Sequence, residues 1–403
     1  MAQVEHRPPT GNLILAIGIA LRAVCFTFAK GFLSNRVELT SPLVSFDLVE
    51  DGVALLKEGI SPYSGDSIHM QPLLIHLFAL FSELPEYGTM AFFVGMDVLT
   101  ACFLRKAAQK LVNDGSSNIP NIVVSCFLLN PVTIASCSVQ SLSVLNNLLL
   151  AAFVHAFTSG YLISSSILLG SLGQMTLYHY ILVGCIFLRF RKIGERVKSL
   201  AIIIFTFASL CFINFALNQF NWNFIEDSYL FMYYVDNVTP SCSIFWYFFT
   251  QVFEHFRFFY ISVFQINLLV YLVPLYLTVR NDNNLHLIIS MLLIAVFSPY
   301  PTLNDATIYM ALLPTLYRYR NEPMRFILPI SCAIVSCIVL MPIMWHMWII
   351  NGSGNANFYF AVTIIYNLAQ VYLLGDLLFA YFRKEAVAVC GDYITEKTSF
   401  IFH

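Results

Sequence analysis

Apolar residues in this chain fall in long blocks, separated by short polar linkers. The blocks cover 12–32, 70–104, 120–137, 139–158, 160–188, 199–220, 259–279, 284–298, 303–317, 326–350 and 357–382. A helix needs about 20 apolar residues to cross a hydrocarbon core, so each block predicts a membrane helix or a pair of shorter pieces. The 70–104 block is interrupted by Pro85 and Gly88 and predicts a half-membrane piece at 70–84 and a full crossing at 88–104. The 160–188 block predicts two short crossings or a re-entrant pair around Gly173-Gln174. The total is about twelve crossings.

Basic residues give these helices a direction. They cluster at Arg105, Lys106 and Lys110, at Arg189, Arg191, Lys192, Arg196 and Lys198, at Arg280, at Arg318, Arg320 and Arg325, and at Arg383-Lys384. The linkers between them are nearly free of Lys and Arg, which predicts both termini on the cytosolic side, with 383–403 as a cytosolic tail. Segments 33–69 and 221–258 are then lumenal loops. Lys30 and Arg36 lie on the wrong side for this arrangement and are expected to snorkel or to bind lipid phosphate. Two glycosylation sequons, at Asn237 and Asn351, fall in lumenal loops. Within 33–69, Leu43, Phe46, Val49, Val53, Leu55 and Leu56 recur at near-helical spacing, with Asp47, Glu50, Asp51 and Lys57 on other faces. This pattern predicts an amphipathic helix lying in the membrane interface, followed by a turn at Ser61–Gly65. Residues 12–32 contain Arg22 and Lys30 and lack a small-residue cleavage site, so they read as a retained first anchor.

Composition excludes the soluble alternatives. Hydrophobic residues make up 58% of the 403 and charged residues 11%, against roughly 25% charged in a soluble domain. The mean hydropathy is +0.73. A net charge of −2 argues against a nucleic-acid partner. The chain is therefore expected to be an all-α polytopic membrane protein with one multi-pass domain over 1–403. Ten cysteines form no metal-ligand spacing, and most lie in apolar runs. Cys242 stands alone in a lumenal loop, as a free thiol or a link to a partner chain.

A polar side chain at membrane depth is costly unless satisfied, so each one marks either an interhelical contact or a site. Asn130-Pro131, Asn146-Asn147 and Gln174 fit either reading, as do the ionisable Asp97 and Asp376. Three stretches stand out. Glu254, Arg257 and Gln265 share a helical stripe that also passes His255 and leads to Asn267. Ser298–Asp305 sets Tyr300, Thr302, Asn304 and Asp305 around two prolines, with Asp305 where a carboxylate favours a helix N-terminus. Asn367 sits mid-helix among aromatics, with Gln370 at i+3 and Asp376 beyond. Dinucleotide, phosphate-loop, zinc-protease and serine-hydrolase motifs are absent from the sequence, so no catalytic residue, metal site or cofactor is assigned.

Several strings together resemble the U subunit of GPI transamidase, the PIG-U family. They are Ser41-Pro42-Leu43, Glu58–Gly65, Pro72–Ile75, Leu128–Pro131 through Ser136-Cys137, Asn146-Asn147, Phe253–Phe256, Phe264–Asn267, Tyr300–Thr302 with Asp305, Tyr309-Met310, Tyr366-Asn367 and Asp376. The resemblance implies a GT-C-like bundle in the endoplasmic-reticulum membrane. It implies a non-catalytic subunit that binds and presents the GPI lipid beside a caspase-like protease subunit and other partners. Asn367, Asp376, Tyr300, Thr302, Asn304, Asp305, His255 and Asn267 are the expected lipid contacts. The related GT-C mannosyltransferases carry a D-x-D pair upstream of a G-x-S-P-Y turn, and the matching positions here read Leu43-Val44-Ser45. Three other readings are an active dolichol-phosphate-mannose-dependent transferase using Asp47 or Asp51, a lipid flippase, and an assembly scaffold.

Overall fold

The computed structural model describes residues 10–112, 118–319 and 324–391. Arg320 and tail residues 392–403 lie outside the described residues. The chain divides into two compact units, Met1–Pro314 and Thr315–His403. Among the described residues the regular structure is helical throughout.

In the first unit, α1 (Thr10–Leu33) is followed by the short α2 (Phe46–Lys57) and α3 (Pro72–Ala79), then by the long α4 (Glu86–Val112). The expected half-membrane piece and full crossing are α3 and α4. Pro72 opens α3 at a position where its missing N–H costs nothing. A bent pair, α5 (Ile119–Leu128) and α6 (Pro131–Ser138), leads into α7 (Ser143–Ser159), which stops at left-handed Gly160. The 160–188 block forms α8 (Leu162–Met175), an extended Thr176, a 3₁₀ segment and α9 (Val183–Arg189), so the break falls three residues after Gly173. Then come α10 (Ile193–Leu217), the short α11 (Phe231–Tyr234) and α12 (Phe245–Gln251), and the nearly continuous α13 (Glu254–Val270) and α14 (Leu272–Thr278). Asp282 caps α15 (Asn283–Phe297) by accepting from Asn284 and Leu285 N–H, and α16 (Thr307–Leu312) closes the unit.

The second unit is an antiparallel pair, α17 (Ile327–Trp345) and α18 (Ala356–Cys390). Asp376 Oδ2 on α18 accepts from Phe326 N–H, at the start of α17, at 2.7 Å. Asn355 caps the other end of α18 through Asn357 and Phe358 N–H. Pro342 and a π-helical turn at His346–Ile350 interrupt the far end of α17.

Six helices among the described residues are long and apolar enough to span a bilayer, and the α5–α6 pair, bent by 47°, makes a seventh if counted as one span. The other apolar blocks form shorter helices. α15, buried along almost its whole length, is core rather than lipid-facing surface. The all-α, many-pass architecture is the one the apolar blocks predict.

α2 forms where expected, but its apolar face is spent inside the protein. Phe46, Val49 and Val53 are buried, and the Phe46 ring packs edge-on against Phe78 of α3 and Phe93 of α4 at 5.5 and 5.4 Å. Asp47, Glu50 and Asp51 face outward. The helix thus caps the α3–α4 core instead of floating on lipid. α8 and α10 approach closely at Gly170, where an added Cβ would come within 2.8 Å of Thr206.

The polar positions of the first membrane helix resolve as contacts within the protein. Arg22, 1% exposed, donates from Nε to Asp97 Oδ2 at 2.7 Å. Its Nη1 reaches Leu128 O at 2.8 Å and its Nη2 reaches Thr133 Oγ1 at 3.1 Å. Lys30 pairs with Glu86 at 2.7 Å and reaches Gln140, while Arg36 is buried with its guanidinium 4.1 Å from the Phe32 ring.

The α5–α6 bend explains the other two arms of Arg22. Pro131 has no N–H, which frees the Phe127 carbonyl, and Thr133 Oγ1 donates to that carbonyl at 2.7 Å. Val132 N–H is taken by the Asn130 side chain at 2.9 Å, which frees the Leu128 carbonyl for Arg22. Removing one member of a buried charged pair leaves the other uncompensated, at about 3–5 kcal/mol. Arg22→Leu or Asp97→Leu alone is expected to lower the chain's thermal stability in detergent and its membrane level sharply. The double variant should recover a substantial part of the loss. Single variants as stable as wild type would show that the pair carries no stability.

Candidate functional site

Five segments of the first unit converge on a small cavity. The loop before α2 supplies Leu43 and Val44, and the turn before α3 supplies His69 and Gln71. The break after α8 supplies Met175, Thr176 and His179, and α15 with the turn that follows it supplies Met291, Ser298, Tyr300 and Asp305. Asn146 and Leu150 of α7 and Ile294 of α15 line it as well, and the free volume of about 40 Å³ is water-sized.

One wall is a stack of three rings. His69 lies flat on Phe231 with centroids 3.4 Å apart, and Phe231 lies flat on Tyr300 at 5.2 Å. His69 Nδ1 sits 2.8 Å from the Asp227 carbonyl. A carbonyl only accepts, so Nδ1 carries the hydrogen. Burial pushes the His69 pKa below the usual imidazole value, opposed by that hydrogen bond and by Asp236 and Asp66. Burial likewise raises the Tyr300 phenol, so it stays protonated while its oxygen accepts from Asn237 N–H at 3.0 Å.

The opposite wall rests on amide hydrogen bonds. Gln174 at the end of α8 accepts on Oε1 from Asn214 at 3.0 Å and from Tyr229 at 2.7 Å, and its carbonyl takes Gln71 Nε2 at 2.5 Å. Asn214 Oδ1 accepts from Leu73 N–H at 2.8 Å, in the first turn of α3. These bonds fix the ends of two broken helices beside the cavity. Among the described residues no group of three or more His, Cys, Asp or Glu is placed to hold a metal ion.

The sequence model of the family described as GPI transamidase subunit PIG-U matches residues 16–366. The chain belongs to the PIG-U family. It is 35% identical to the GPI-anchor transamidase component PIGU of Mus musculus, over 96% of each chain. It is 34% identical to the Homo sapiens protein of the same name, again over 96% of each. It is 27% identical to the GPI transamidase component GAB1 of Saccharomyces cerevisiae, over 92% of this chain and 93% of that one.

The residues that resemblance to the PIG-U family singled out are distributed over both units. Tyr300 and Asp305 line the cavity. Asp305 Oδ2 accepts from Thr302 N–H at 2.6 Å and from Thr302 Oγ1 at 3.1 Å, so this carboxylate and Thr302 lock the turn ahead of α16. Asn304 is buried and ties that turn to α7, donating from Nδ2 to Ser143 Oγ at 2.9 Å. His255 is exposed at the start of α13, and Asn267 is half-buried three turns later. In the second unit Asn367 donates to Thr363 O one turn earlier, at 2.9 Å, and Asp376 caps α17. Asn367 and Asp376 are about 14 Å apart along α18.

Sequence reasoning missed His69, Gln71 and Phe231. The available signal was two polar residues directly ahead of the helix-opening Pro72, at the edge of an apolar block. Cys242, expected as a free thiol or a link to a partner chain, is 1% exposed and out of reach of another chain's thiol.

Losing a buried hydrogen-bonded group costs about 1–3 kcal/mol. Asn304→Ala is therefore expected to lower the thermal midpoint of the detergent-solubilised chain by several degrees. His255→Ala should leave it within error. Equal effects of the two would contradict the division between tethered and exposed residues.

Proposed function

We propose that this chain is a non-catalytic subunit of a GPI transamidase complex in the endoplasmic-reticulum membrane. In this reading both termini face the cytosol and the 33–69 and 221–258 loops face the lumen. The cavity at Tyr300 receives the polar part of a GPI lipid, and the chain presents it to a caspase-like protease subunit held in the same complex with other transamidase subunits. Membership of the PIG-U family supports the assignment to the complex.

One observation supports the absence of sugar-transfer chemistry. Leu43, which lines the cavity, and Ser45 stand at the two positions where the similar mannosyltransferases carry acidic residues. General acid–base or metal-assisted transfer needs carboxylates there. Asp47 and Asp51, the carboxylates of the rival reading, point outward from α2, and Asp305 is engaged by Thr302.

The free space at Tyr300 is water-sized, so admitting a head group requires lining side chains to move. In the second unit, buried Asn367 lies among Tyr359, Thr363, Tyr366 and Gln370 and offers an amide to the same lipid class.

Purification of the intact complex in mild detergent tests this reading. Co-isolation of a caspase-like protease and an inositol phospholipid is expected. A photocrosslinking residue at position 44 should capture that lipid. Mannose transfer from dolichol phosphate mannose by the purified chain, abolished by Asp47→Asn or Asp51→Asn, would overturn the reading. Asn367→Lys is expected to cut surface display of GPI-anchored proteins at least about fivefold with the complex still assembled, as a charge buried among helices should. Unchanged display would remove Asn367 from the lipid contacts.

A further inference from the structure

α13 holds a stretch of neighbouring backbone at two points. Gln265 donates through Nε2 to the carbonyls of Met232 and Tyr233, at 3.2 and 2.7 Å, and accepts from Tyr178 Oη at 2.5 Å. Two turns earlier, Arg257 donates through Nη2 to the Val235 carbonyl at 2.8 Å. Between α13 and this stretch lies a slot of about 190 Å³, walled by Leu177, Tyr178, Met232, Tyr233, Ile266 and Leu269. The polar atoms of Gln265 and Tyr178 are turned toward each other and toward backbone, so the wall is almost wholly apolar. Its lining shares no residue with the Tyr300 cavity.

The slot opens beside the outward face of α13, where Phe256, Phe259, Val263, Ile266 and Leu269 are exposed. This helix belongs to one of the membrane-length segments, Glu254–Thr278, so leaflet lipid has direct access to the opening. Arg257 stands about 12 Å from Gln265 along the helix axis, toward the 221–258 loop, at the height a phosphate takes when its acyl chain fills the slot.

The charges around Arg257 decide which lipid fits. Asp236 follows Val235 directly, is exposed, and lies within electrostatic reach of Arg257, yet the two do not close an ion pair. Glu254 is exposed one turn before Arg257 on the same stripe. A head group with negative charge alone would gain from Arg257 and be repelled by both carboxylates. One that carries a phosphate and an ammonium side by side complements both signs. We propose that this slot holds an acyl chain of a zwitterionic glycerophospholipid, with its phosphate on Arg257 and its ammonium on Asp236. It is a resident lipid site whose apolar lining shares no residue with the cavity at Tyr300, while its two charges lie within electrostatic reach of Tyr300.

The test uses the purified complex mixed with vesicles of equal parts phosphatidylethanolamine and phosphatidylglycerol. These contain a trace of phosphatidylethanolamine with a diazirine in its acyl chain, photolysed and mapped by peptide mass spectrometry. Labelling is expected on α13 and on residues 232–235, competed about tenfold better by phosphatidylethanolamine than by phosphatidylglycerol. Ile266→Trp, an exposed position at the slot mouth, should cut labelling about tenfold. Asp236→Asn should abolish the preference between the two lipids, and Arg257→Gln should weaken both. The proposal is overturned if phosphatidylglycerol competes equally in the wild-type complex. Labelling indifferent to Ile266→Trp, or α13 crosslinking to another subunit in place of lipid, would overturn it too. If Ile266→Trp fails to assemble, the Asp236→Asn selectivity measurement decides alone.

Discussion

A hydrocarbon core offers no water, so every polar group at that depth must find its partner inside the protein. Arg22 shows how far this requirement organises the first unit. One guanidinium on α1 neutralises the carboxylate of α4, accepts the geometry of a proline break between α5 and α6, and takes the carbonyl that this break leaves free. Three elements far apart in sequence are fixed by the five donors of one planar group. The same logic recurs at Gln174, Asn214 and Gln71, where amides bind the ends of α8 and α3. Broken helices expose carbonyls and N–H groups, and buried amides, with one acceptor and two donors each, close them.

This economy produces the cavity. α8 stops at Met175, α3 begins at Pro72, and the chain turns sharply at Tyr300–Pro301 between α15 and α16. Three interruptions leave a gap that continuous helices would have filled, with the ring stack of His69, Phe231 and Tyr300 along one side. Non-helical backbone at membrane depth is tolerated only where protein or a cavity surrounds it, so site and fold arise from the same breaks.

The apolar blocks and the prolines made the helical plan legible, including the half-helix at 70–84, the divided 160–188 block and the amphipathic period of α2. What α2 faces was not legible, because periodicity identifies an apolar side without saying whether protein or lipid covers it. Asp97 stood between a pairing and a functional role because its partner lies 75 residues away, on another helix. The tie from Asn304 to Ser143 was hidden for the same reason, since the two are 161 residues apart. Tyr300 and Asp305 were recognisable from the double-proline turn. His69 was not, because nothing local distinguishes a histidine that stacks on a ring 162 positions away. Its role depends on pairwise geometry that a single sequence does not carry.

The helix pair of the second unit is fastened asymmetrically. Where Phe326 meets Asp376 and Lys384 reaches the Arg318 carbonyl, the two rods are pinned by polar bonds. At the opposite end the two rods are joined through Pro342, a π turn and an exposed Gly352, with the Trp348 and Tyr359 rings 6.4 Å apart. A pair fastened at each extremity keeps its register, so neither rod can slide along the other without breaking one set of ties.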